Sequence, residues 1–142
     1  MSLVEKILKG ERAAIAKAIT LVESSRGKDK EESKELISKL ILNPGHSVRV
    51  GFSGSPGVGK STFIESFGGY LVNKGYKLGI LAIDPSSQLT GGSILGDKTR
   101  MSEISKNDNT FIRSTPSRGS LGGVSFGTRE AAIILDSAGY DF

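Results

Sequence analysis

Cysteine is absent from this 142-residue chain, histidine occurs once, and aromatic residues make up only 6% of it. Without thiols there is no disulfide framework, no thiolate zinc site and no cysteine nucleophile, and a reducing compartment is compatible. The single histidine, His46, sits beside Pro44 and Gly45 and reads as a loop residue, so a histidine-based metal site is excluded. Long apolar runs are missing too: none approaches the length that spans a bilayer, and Met1–Lys6 lacks an apolar stretch ending in a cleavage site. These absences give an expectation of a cytoplasmic protein, or of a mitochondrial-matrix one if the source is eukaryotic, with no membrane contact. Charge of one sign is scarce as well. The net charge of +4 comes from 19 basic and 15 acidic residues, spread evenly along the chain. No segment interleaves aromatics with arginines, so nucleic acid is not an expected partner.

What is present is a hydrophobic content of 37%, enough for one domain with a core at this length. The organising stretch is Gly54-Ser55-Pro56-Gly57-Val58-Gly59-Lys60-Ser61, which fits G-x-x-x-x-G-K-[ST] without a gap. Glycines let successive backbone N–H groups point into one concavity, and a helix N-terminus adds positive dipole for a phosphate. Lys60 then reaches the β- and γ-phosphates, and the Ser61 hydroxyl is placed on Mg2+, which takes hard oxygen ligands. Gly54 through Thr62 are the candidate nucleotide-binding residues. An apolar run, Ser47 to Phe52, is expected as the strand feeding the loop, and a helix from about Thr62 to Val72 as its continuation.

Upstream, residues 1–44 are expected as a helical extension. Ile15, Ile19 and Val22 recur at helical spacing, Ser24–Gly27 breaks the pattern, and Leu36, Ile37, Leu40 and Ile41 form the stripe of a second helix over Lys30–Leu42. A hairpin packed on the following domain and a partner-binding or dimerising arm are the two roles open to it. Residues 45–142 are expected as the nucleotide-binding domain. The run Leu78–Ile83 suits a strand covered on both faces and ends at Asp84, which in a parallel sheet lies at the ligand-bearing carboxyl edge. Asp84 is therefore either a carboxylate beside the metal or a cap before Pro85.

Residues 85–98 are polar and glycine-rich and are expected to form a loop across the phosphates. Within that region Asp97, Lys98 and Arg100 could hold a metal-bound or attacking water and offset γ-phosphate charge, or could be solvated surface charges. The pattern further predicts a short helix over Thr99–Ser105, a strand over Thr110–Arg113, a loop over Ser114–Gly123 centred on Arg118, and a helix over Val124–Ala138 closed by Gly139. The last residues before Phe142 read as the start of another strand. A second acidic strand and an Asn-Lys-x-Asp base-reading motif are not in the chain, which gives the expectation of an N-terminal part of a longer protein.

Four runs taken together, Gly54–Glu65, Leu81–Ser87, Gly91-Gly92-Ser93-Ile94-Leu95-Gly96-Asp97-Lys98-Thr99-Arg100-Met101 and Arg118–Val124, resemble the methylmalonyl-CoA mutase-associated G proteins, the MeaB/MMAA/ArgK family. The resemblance runs from about Val48 to Phe142. It implies a P-loop NTPase-like α/β fold, a parallel sheet with helices on both faces preceded by a helical hairpin, truncated at its C-terminus. It implies a GTPase binding GTP and GDP with Mg2+, homodimeric at full length, that escorts adenosylcobalamin-dependent methylmalonyl-CoA mutase, gating cofactor loading and protecting the loaded enzyme. Lys60 and Asp97 stand at the catalytic positions, and Ser61, Asp84 and Asp97 at those of the metal. Two other readings share the loop: a P-loop kinase acting on a small metabolite or transport protein, and a truncated, non-catalytic module that binds nucleotide or a partner. A nickel-insertion GTPase, a further relative, is disfavoured by the missing cysteine and the lone histidine.

Overall fold

The computed structural model describes residues 1–84, 101–116 and 127–142, and only the backbone of Asp84 and Pro116. Asp97, Lys98, Arg100, Arg118 and the rest of the segments 85–100 and 117–126 lie outside the described residues.

The N-terminal region holds three helices rather than a simple pair. Helix α1 (Leu3–Leu8) opens with a reciprocal cap, in which the Glu5 amide donates to Ser2 Oγ at 3.3 Å and the Ser2 amide to Glu5 Oε2 at 2.7 Å. Gly10, at φ +74°, ends it in a conformation that disfavours any residue with a Cβ. Helix α2 (Arg12–Glu23) then buries Ala14, Ile15, Ala18, Ile19 and Val22 along one stripe. Helix α3 (Gly27–Ile41) starts earlier than the apolar pattern alone suggests. It buries Leu36 and Leu40, whereas Ile41, expected on the same stripe, is exposed. Four stripe positions cover too wide an arc for a helix touching its neighbours on one side.

Strands β1 (Leu78–Asp84) and β2 (Thr110–Pro116) pair in parallel, from Leu78 opposite Thr110 to Asp84 opposite Pro116. Helix α4 (Lys60–Asn73) precedes β1, and the single turn α5 (Ser102–Ser105) lies between β1 and β2. Helix α6 (Thr128–Ser137) follows β2. Strand β2 is longer than expected: Ser114–Pro116 extend it where a loop was anticipated, because each finds a register partner on β1.

The alternation of a strand decides which layer each residue serves. Leu78, Ile80 and Ile112 meet Leu71 and Val72 of α4 with Met101 and Ile104, while Leu81 and Phe111 turn to the other face. There α1, α2, α3 and α6 share one core, with Ile7, Ile15, Ile19, Leu40 and Ile134 wholly buried. Each such side chain contributes about 1.5–3 kcal/mol relative to exposure. The helical extension thus covers α6 and, through it, one face of the sheet. Glycines set the closest approaches: a Cβ on Gly79 would lie 2.8 Å from Leu135 Cδ1 of α6, and one on Gly68 of α4 would lie 2.8 Å from Leu78 Cδ2. Arg12 clasps α2 to the start of β2, donating to the carbonyls of Asp108 at 3.0 Å and Thr110 at 2.8 Å with its guanidinium over Phe111.

The strand expected over Ser47–Phe52 is not formed. Val48, Val50 and Phe52 are exposed, and among the described contacts the segment's tie toward the sheet is the Val48 amide, which donates to the Asp141 carbonyl at 2.9 Å. Phe142 in turn bonds to β1, the Gly79 amide donating to its carbonyl at 2.8 Å, and the Asp141 amide donates at 2.8 Å to the carbonyl of Lys77, just ahead of the strand. Two residues therefore stand between segment 47–52 and β1, too few to make a ladder with either. An apolar run encodes a propensity for strand, but a strand exists only where a neighbour accepts its hydrogen bonds.

Candidate functional site

The loop at residues 54–61 is shaped by its glycines. Gly57 takes φ +82° and Gly59 φ +95°, and no atom of the described residues lies within 4 Å of the Cβ that either lacks. Among the described residues, then, the turn and not crowding requires the left-handed backbone. The Val58 amide donates to the Ser55 carbonyl at 3.4 Å, a backbone bond that closes the loop on itself. Gly59 is the N-cap of α4 and supplies no side-chain acceptor, so the helix begins uncapped, its positive end turned toward the loop. The loop residues are exposed, whereas Lys60 and Ser61 are partly covered.

The Lys60 ammonium folds back and donates to the carbonyl oxygens of Gly54 and Ser55, the latter at 3.3 Å. Neutral carbonyls are weaker partners for a cation than phosphate oxygens, so an anion entering the concavity gives the ammonium charged acceptors in place of neutral ones. Gly54 lies under this side chain: a Cβ there would be 3.1 Å from Val58 Cγ2 and 3.7 Å from Lys60 Cδ. Beside the loop, the rings of Phe52, Phe63 and Phe67 form a row with centroids 5.4 and 5.9 Å apart, tying the incoming chain to the first two turns of α4.

Of the other expected site residues, Ser61 stands in the first turn of α4 and Asp84 ends β1 at its carboxyl edge. Asp97 lies outside the described residues. Among the described residues no three His, Asp or Glu side chains converge as a metal cluster. A hydroxyl and carboxylates are nonetheless the hard oxygen donors that Mg2+ takes, with phosphates and water completing its shell.

Two acidic contacts escaped the sequence reading. Glu65 of α4 accepts the Glu103 amide at 3.3 Å, joining the loop's helix to α5. Asp136 of α6 accepts the Gly45 amide at 3.0 Å and the Ser47 amide at 2.8 Å, holding the segment that leads to the loop. Burial pushes the Asp136 carboxyl up, but the Ser47 hydroxyl and amide, the Gly45 amide and the charge of Arg49 outweigh it and hold the group below the ordinary aspartate range. An acid in the last turn of a helix, where the dipole disfavours it, was the available signal.

A family profile described as methylmalonyl Co-A mutase-associated GTPase MeaB matches residues 15–142. The chain belongs to the MeaB family. A probable GTPase of Mycobacterium tuberculosis is 50% identical over 132 residues, covering 93% of this chain and 39% of the relative. The GTPase ArgK of Escherichia coli is 46% identical over 138 residues, with coverage of 97% and 42%. The mitochondrial methylmalonic aciduria type A homolog of Mus musculus is 47% identical over 145 residues, with coverage of 95% and 35%. The chain therefore spans about two fifths of the length of these MeaB relatives. Among solved structures, an LAO/AO transport system kinase superposes with a TM-score of 0.77 at 33% identity, over 98% of this chain and 39% of that one. The P-loop NTPase-like fold, truncated relative to the family, follows from that superposition together with the parallel β1–β2 pair and its helical layers. MeaB proteins are a GTPase family. No helix among the described residues is long and apolar enough to cross a membrane.

Proposed function

We propose that this chain is the nucleotide-binding part of a GTPase that escorts adenosylcobalamin-dependent methylmalonyl-CoA mutase, gating cofactor loading and protecting the loaded enzyme. The observation that carries the nucleotide reading is the uncapped start of α4 behind two left-handed glycines, with the Lys60 ammonium resting on the loop's own carbonyls. The mutase reading is supported by the family description alone. Residues 1–44 serve as the helical extension and 45–142 as the nucleotide-binding domain, in a cytoplasmic protein or, if eukaryotic, one of the mitochondrial matrix. A full-length protein carrying the chain is proposed to be a homodimer.

In this reading the amides of Gly54–Thr62 cradle the phosphates, and Lys60 leaves its two carbonyls for the β- and γ-phosphate oxygens. Ser61 with Asp84 and Asp97 would hold Mg2+, which when bound supplies charge neutralisation of the phosphates. Asp97 orients the attacking water, and the catalytic contribution is positioning and electrostatic stabilisation, with no covalent intermediate. Titration calorimetry of the chain with GDP and GTP tests the site: binding by the wild type and its loss in Lys60→Ala support it, and equal affinity in the two refutes it.

The kinase reading keeps a place because the superposed structure is named as a transport system kinase. Products distinguish the readings in a protein that carries this chain at the family's full length. Free phosphate supports the GTPase, a phosphorylated acceptor the kinase, and tight binding with neither product a non-catalytic module.

A further inference from the structure

Segment 44–53 carries neither helix nor strand, yet it delivers the chain to Gly54. Among the described contacts, three backbone donors hold it: the Gly45 and Ser47 amides on Asp136, and the Val48 amide on the Asp141 carbonyl. Two of the three end on one carboxylate, each oxygen taking one amide. Asp136 lies in the last turn of α6, at the negative end of the helix, so its placement runs against local preference and the two amides offset that. The approach is very close: a Cβ on Gly45 would lie 2.2 Å from the Asp136 carbonyl oxygen, so glycine is required for the segment to pass there. Helix α6 is itself fixed, with Ala131 and Ile134 wholly buried against the N-terminal helices and Ser137 Oγ donating to the Leu40 carbonyl at 3.3 Å.

We propose that Asp136 is a positioning residue for the phosphate loop: by gripping Gly45 and Ser47 it makes α6 the frame from which residues 48–53 deliver Gly54–Ser61. Its consequence for nucleotide affinity rests on the reading of the preceding subsection, whereas its effect on the loop itself needs no ligand. A residue that only stabilised α6 would loosen the helical core along with the loop. A positioning residue loosens the loop and leaves the core alone.

Hydrogen exchange of the ligand-free, 142-residue chain separates these. In Asp136→Ala, exchange of the Val48 and Val58 amides, which are bonded outside the grip itself, is expected to rise at least about tenfold, since two bonds to a charged acceptor are lost, while residues 12–23 of α2 keep wild-type protection. Asp136→Asn, which keeps one acceptor oxygen, is expected to fall between. Faster exchange confined to Gly45 and Ser47, or an equal rise in α2, overturns the proposal. If Asp136→Ala does not fold, Ser47→Pro removes one of the two amides from the other side and must produce the same pattern, its absence being equally decisive. GDP calorimetry then reads the functional consequence, an expected weakening of about tenfold in Asp136→Ala. A wild-type chain that does not bind GDP counts against the nucleotide reading, and the exchange pattern alone decides the role of Asp136.

Discussion

Arg113 offers the sharpest test of how β2 is held to the helical layer. Its Nη2 donates to Glu23 Oε2 at 2.6 Å and to Thr20 Oγ1 at 3.2 Å, joining the strand to the last turn of α2. The Glu23 side chain is 13% exposed and that of Arg113 30%, and Glu23 Oε1 and Arg113 Nε are buried with no hydrogen-bond partner among the described residues. Replacing Arg113 by Met keeps the aliphatic stem but strands the carboxylate. Loss of a hydrogen bond to a charged group costs about 1.5–3 kcal/mol, and leaving one member of a fully buried pair about 3–5 kcal/mol. Because water reaches the vacated side of this site, the lower figure governs, and about 2 kcal/mol is expected. For a chain of this size that is a fall in Tm of roughly 8 °C, read by thermal unfolding at neutral pH. Glu23→Gln with Arg113→Met removes both charges and is expected to recover most of the loss. A single variant within about 0.5 kcal/mol of wild type, or a double variant no better than the single one, would refute the reasoning.

The remaining expectations concern packing and charge. Ile19→Ala, at a wholly buried α2 position, should cost about 2–5 kcal/mol by denaturant unfolding, and a loss below about 1 kcal/mol would mean that the layer between α2 and α6 is not close-packed. Gly79→Ala forces a Cβ to 2.8 Å from Leu135 Cδ1 and should destabilise by about 1–3 kcal/mol, with Leu135→Ala in the same chain relieving the clash although it adds a cavity. Asp136 is held below the ordinary aspartate range, against the upward push of its burial, by the Ser47 and Gly45 bonds and by Arg49. A depressed folded value means that its contribution is complete above the unfolded value of about 3.9 and fades as pH falls through the folded one. Asp136→Asn should therefore flatten the fall of unfolding free energy below about pH 4, and an unchanged acid limb would contradict the contact.

Local signals proved sufficient where one short stretch holds all the physics. The glycines, Lys60 and Ser61 of the loop, the stripe Ile15–Ile19–Val22 and the run Leu78–Ile83 were all legible because each depends on neighbours within a few residues. The break at Gly10 was harder to see, because one glycine inside a helical pattern is ambiguous until its φ is known. The segment Ser47–Phe52 misled for a different reason: Val48, Val50 and Phe52 have strand propensity, but the ladder that would make them a strand depends on residues far along the chain.

By itself, the order of residues determined that this chain carries a glycine-shaped loop at the head of a helix, an apolar strand downstream and an amphipathic helical start. Only the tertiary structure decided that the helical start covers α6 and not the loop, that Arg113 is tied to Glu23, and that Asp136 grips Gly45 and Ser47 across roughly ninety positions. The reason is one of range. Backbone conformation and periodicity are set by steric and hydrogen-bonding preferences of adjacent residues, whereas a buried charge or a close glycine contact has meaning only once distant segments have been brought within a few ångströms of each other.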